Sequence, residues 1–65
     1  MVISLFSWNG KWLVKFEQGL CEQTYKFEHL EIDETDLRTK IDETFIADVL
    51  RGFESMHQTT RRVLS

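Results

Sequence analysis

Between residues 41 and 64, Ile46, Val49, Phe53, Met56, Thr60 and Val63 recur at alternating spacings of three and four. On an α-helix that rhythm stacks them along one side, and Leu50, His57 and Leu64 widen the stripe. A stripe this long has to be covered. The chain has 65 residues, enough for a single domain, 1–65. The cover therefore has to come from the first half of the chain, and what that half leaves bare is available for assembly.

The first half reads as a β-meander over residues 1–31. Asn9-Gly10 supplies the two positive-φ positions of a tight I′ turn between two strand-like runs. A two-residue loop sets Trp8 opposite Lys11, so Ser7 faces Trp12, Leu5 faces Val14 and Ile3 faces Phe16. Gly19-Leu20 offers a second turn, of the II′ kind that favours glycine first. Pairing Gln18 with Cys21 then sets Tyr25 opposite Val14 and Phe27 opposite Trp12. A four-residue loop closed by Glu17 and Glu22 gives the same register. Both turns bring the apolar residues Ile3, Leu5, Trp12, Val14, Phe16, Tyr25 and Phe27 to one face. The other face is mixed: Phe6, Trp8 and Leu13 form an apolar island among Lys11, Lys15, Lys26, Glu17, Glu22 and Glu28.

Residues 32–65 read as helical. Ile32-Asp33-Glu34-Thr35 and Ile41-Asp42-Glu43-Thr44 repeat a helix-start pattern nine residues apart. In each, an Asp suits the N-cap, an acidic residue follows at the positive end of the dipole, and an isoleucine at N′ faces an apolar residue at N4. The pairs are Ile32 with Leu37 and Ile41 with Ile46. The pattern predicts a short helical turn from about Asp33 to Lys40 and a long helix from about Asp42 to Arg62, with fraying from Thr59 onward. Gly52 inside the long helix reads first as a simple tolerated glycine, and otherwise as a bend or a place where another backbone comes close.

Charge is uneven. The net value of −3 combines +1 over residues 1–27, −6 over 28–55 and +2 over 56–65. An acidic middle repels phosphate backbones and also serves as a plain solvated face. Arg61 and Arg62 complement the dipole of the last helical turn. The start, Met1-Val2-Ile3-Ser4-Leu5, lacks the features of a secretory signal, and no run approaches the ~20 apolar residues of a membrane span. The single cysteine, Cys21, agrees with a reducing compartment, so the expected location is cytoplasmic, with no membrane partner.

The sequence carries no glycine-rich phosphate loop, G-x-S-x-G, H-E-x-x-H or paired C-x-x-C. A chain this short has little room for both a core and a walled pocket, and the protein reads as a non-enzymatic one. No catalytic residue, cofactor or metal site is assigned. His29 and His57 would matter as a proton carrier or metal ligands only if the fold joined them. The simpler reading is two ordinary hydrogen-bonding histidines at the core edge. Cys21 reads as an inert thiol. The acids Asp33, Glu34, Asp36, Asp42 and Glu43 lack the ordered spacing of a calcium loop, and two capped helix starts explain them better.

The expected fold is α+β: a three-stranded antiparallel β-meander, then a short helix and a long C-terminal amphipathic helix packed on one sheet face (βββαα). The expected core is Ile3, Leu5, Trp12, Val14, Phe16, Tyr25, Phe27, Ile46, Val49, Leu50 and Phe53. The expected function is that of a small protein–protein interaction or regulatory adaptor module. Its candidate partner interface is Phe6, Trp8 and Leu13 on the sheet, or Met56, Thr60 and Val63 on the distal helix, and a homodimer is one form such contact takes. The alternative is single-stranded nucleic-acid binding through Lys11, Lys15 and Lys26 beside the aromatic rings.

Overall fold

In a computed structural model describing residues 1–65, strands β1 (Val2–Trp8), β2 (Lys11–Gln18) and β3 (Cys21–Glu28) form one antiparallel sheet in the order β1-β2-β3. Asn9 (φ 53°) and Gly10 (φ 75°) both adopt the positive φ that a I′ turn requires, and Gly19 (φ 61°) leads the second turn. Ser7 pairs with Trp12, Leu5 with Val14 and Ile3 with Phe16, while Tyr25 pairs with Val14 and Phe27 with Trp12. This is the register that the turn chemistry dictates.

Helix α1 (Glu34–Lys40) and helix α2 (Glu43–Leu64) follow. The Asp33 carboxylate accepts the Asp36 N–H at 2.8 Å, and that of Asp42 accepts the Phe45 N–H at 2.9 Å. Each aspartate thereby satisfies one of the four N–H groups that a helix start leaves without a partner. Leu37 is buried, and Ile32, Ile41 and Ile46 pack around it and the rest of the core. Helix α2 stays helical through Leu64, beyond the expected end at Arg62 and across the residues expected to fray.

The fully buried side chains are Val14, Phe16, Leu37, Val49 and Phe53, with Leu5, Trp12, Tyr25, Phe27, Ile46 and others packed around them. Rings supply much of this packing: Phe16 meets Tyr25 edge-on at 5.9 Å, and Phe45 lies 5.8 Å from Phe16 and 5.3 Å from Tyr25. Two expected core members fall outside, since Ile3 is 49% exposed and Leu50 44% exposed. The reason is lateral. A helix with its side chains is ~10 Å across and strands are ~4.8 Å apart, so one helix shields about two strands. Helix α2 takes the β3 side, where Gln23 Nε2 donates to the Val49 carbonyl at 2.8 Å. Ile3 on β1, and Leu50 on α2, are left partly uncovered.

Candidate contact surfaces

Three surfaces leave apolar groups unshielded, and each follows from a pairing rule. On the outer sheet face, successive strand positions alternate sides, so Val2, Phe6 and Trp8 of β1 stand together with Leu13 directly opposite Phe6. Val2 is 60%, Phe6 52% and Trp8 69% exposed, whereas Leu13 is half-buried. Trp8 pairs with Lys11, which in turn stands opposite Glu28, so charged residues of both signs lie beside the exposed indole.

The lysines of this face are not equivalent. Lys15 lies 3.4 Å from Glu22 and 3.8 Å from Glu17, an exposed pairing worth ~1 kcal/mol or less but enough to neutralise it locally. Lys11 and Lys26 form no ion pair. Glu28 stands opposite Lys11, so the face carries three acids beside its three bases.

The second surface is the distal end of α2. His57 Nε2 reaches the Gln18 carbonyl at 3.4 Å beside the β2–β3 turn, so the helix passes the end of the sheet at this point. Met56 still packs against the core, while Thr60, Val63 and Leu64 are exposed. The Thr60 hydroxyl donates back to the Met56 carbonyl at 3.0 Å. Of the candidate helix residues, Met56 is thus partly used in the monomer, and Thr60 and Val63 project past the sheet.

The third surface was not among the sequence candidates. On the inner face an open trough of about 340 Å³ runs along β1, lined by Ile3, Leu5, Val14, Arg38 and Ile41. Arg38, its one charged residue, is held by Glu34 at 3.4 Å. The signal that could have found it is in the sequence: residues 1–10 contain no charged side chain, so neither face of β1 is guarded.

The histidines lie apart. His29 meets the Ser7 hydroxyl at 3.1 Å and the Trp12 ring at 4.2 Å, near the first turn. His57 stacks on Phe53 near the second turn. The length of β2 separates the two ends, roughly 23 Å at ~3.3 Å per residue, so the two cannot act jointly. No group of three His, Cys, Asp or Glu side chains converges. Cys21 is half-buried against the core, and no helix is long and apolar enough to cross a membrane.

Comparison with family models, curated proteins and solved structures finds no match, so function is read from these surfaces alone.

Proposed function

We propose that the protein is a small non-enzymatic interaction module, a regulator or adaptor that works in the cytoplasm by contact with another protein. The observation that carries this reading is the exposed Phe6–Trp8 pair set against Leu13 on a sheet face whose opposite side already holds the core. Aromatic side chains in this setting bury large apolar area at small entropic cost, which makes them natural anchors of a protein interface. The exposed turn of α2 at Thr60 and Val63 is a secondary contact. The acidic segment 28–55 favours a partner with a basic rim.

The nucleic-acid alternative draws on the same rings but has weaker electrostatic support, because Lys15 is paired with glutamates and Glu28 stands opposite Lys11. The test is recovery of a partner by the tagged chain from its native cell, compared with a Phe6→Ser/Trp8→Ser variant. Phe6 is 52% and Trp8 69% exposed, and the circular dichroism spectrum and melting transition of the variant are compared with those of the parent, so that loss of capture is read only from a folded variant. A partner captured by the parent and lost by the variant supports the reading; equal capture by both refutes this face. Salt-sensitive retention of single strands by the parent would instead select the alternative.

A further inference from the structure

We infer that the free edge of β1 pairs with the same edge of a second copy of this chain, antiparallel and centred on Leu5, to give a continuous six-stranded sheet. The inference rests on the contact reading and names its partner, but it uses the strand edge and not the outer face.

The hydrogen-bond parity of the sheet is fixed. The His29 N–H donates to the Gly10 carbonyl at 3.0 Å, across the β2–β3 ladder. Residues on a strand alternate between neighbours, so the even positions of β2 serve β3 and the odd positions Lys11, Leu13, Lys15 and Glu17 serve β1. Their partners Trp8, Phe6, Ser4 and Val2 therefore point their N–H and C=O groups inward. The groups of Ile3, Leu5 and Ser7 point off the edge, where no other strand of the chain lies.

These free groups are self-complementary. Only a two-fold axis through Leu5 pairs all seven residues of β1, and Leu5 is itself one of the outward residues. Leu5 then exchanges both hydrogen bonds with its copy, and Ile3 exchanges with Ser7 on either side. An odd midpoint is what the alternation demands; an even one would bring two rows of inward-pointing groups together. On the outer face the same register lays Trp8 beside Val2 of the copy and Phe6 beside Ser4. On the inner face the two apolar troughs meet along the axis.

Charge permits the pairing. Strand against strand no like charges meet, since β1 has no charged residue, and the Arg38 that lines each trough is paired with Glu34. At β3 the groups pointing outward belong to Glu22, Thr24, Lys26 and Glu28, three of them charged, which is how natural edges are guarded against pairing. The exposed parts of Val2, Ile3, Phe6 and Trp8 amount to ~500 Å² per chain; edge pairing shields their flanks and leaves the outward sides of Phe6 and Trp8 in solvent, so a pair of chains hides less than ~1,000 Å² and forms one of the small, weak interfaces.

The chain is short enough for chemical synthesis, and N-methylation of Leu5 removes an edge donor without touching the β1–β2 ladder. Light scattering over a dilution series reaching ~1 mM, the weak end of the affinity range for an interface this small, should rise to twice the chain mass for the parent. The N-methyl-Leu5 chain should give a single chain mass with an unchanged circular dichroism spectrum. Recombinant Ile3→Lys, which puts a charge on the inner side of the edge, should weaken the dimer at least ~10-fold. In a sample mixed from isotope-labelled and unlabelled parent chains, an intermolecular Overhauser contact between the Ser4 and Phe6 α-protons would establish the register. A monomeric parent, or a dimer that survives N-methylation of Leu5, overturns the inference. A dimer that survives N-methylation but dissolves in Trp8→Ser does so too, and leaves the outer-face reading standing. If the parent dimerises through Leu5 but captures no other protein, the edge inference stands and the outer-face reading fails.

Discussion

Replacing Gly52 by alanine ought to stabilise a 22-residue helix by about 1 kcal/mol on helix propensity alone. The packing predicts the opposite sign. A Cβ at position 52 would lie 2.8 Å from Gln23 Nε2 and 3.2 Å from its Cδ and Oε1. The Gln23 amide is the middle of a relay: it donates to the Val49 carbonyl at 2.8 Å and accepts the Tyr25 hydroxyl at 2.6 Å. Swinging it away breaks both bonds, each worth about 1 kcal/mol net in a half-buried setting. Gly52→Ala should therefore destabilise the protein by about 1 kcal/mol. In a Gln23→Ala background the obstruction is gone, and the same change should stabilise by about 1 kcal/mol, a coupling of about 2 kcal/mol across the cycle. Urea unfolding of the four proteins, at one fixed chain concentration so that any association is held constant, measures it directly. If Gly52→Ala stabilises equally in both backgrounds, the amide moves freely and the relay does not fasten α2 to β3.

Two further substitutions test the core and the helix start. Phe53→Ala removes a ring that is fully buried against the sheet, and should cost about 3–5 kcal/mol, enough to leave a domain of this size largely unfolded in thermal melts. A cooperative, native-like transition would refute its central place. Asp42→Ala deletes the carboxylate that caps α2 and should cost about 1 kcal/mol by urea titration, whereas Asp42→Asn should cost less because its carbonyl still accepts the Phe45 N–H.

The β half was legible because its turns carry hard stereochemistry. Asn9, Gly10 and Gly19 occupy positive φ, a two-residue loop admits one register, and period two then decides every face. The helix starts were legible for a similar reason, since Asp33 and Asp42 do locally what an N-cap does in any protein. What escaped was lateral placement. Period 3.6 says which side of α2 is apolar but not which strands lie beneath it, so Ile3 and Leu50 were assigned to a core that does not reach them. Leu37 was recognised as half of a staple, and its complete burial depended on α1 folding back over Val14 and Phe16. At Gly52 the pattern favours a simple tolerated glycine, with a bend or a close backbone as the other readings; what lies against it is the Gln23 side chain, which only tertiary geometry reveals.

The outer-face candidates Phe6, Trp8 and Leu13 share a face with Lys11, Lys15 and Lys26 on pattern grounds, yet pattern could not assign Lys15 to Glu17 and Glu22. Nor could it reveal that the unguarded strand is also the uncovered one. That coincidence follows from dimensions. Three strands are wider than one helix, the helix is fastened to β3 by the Gln23–Val49 bond, and β1 is left with apolar residues on both sides and free hydrogen-bonding groups on its edge. Shifting α2 toward β1 would cover Ile3 but take Phe45 off Tyr25 and break the relay. The proposed pairing with a second β1 would cover the strip without moving the helix. In a chain too small to bury all its apolar surface, the arrangement that fastens α2 to β3 therefore leaves a particular edge open.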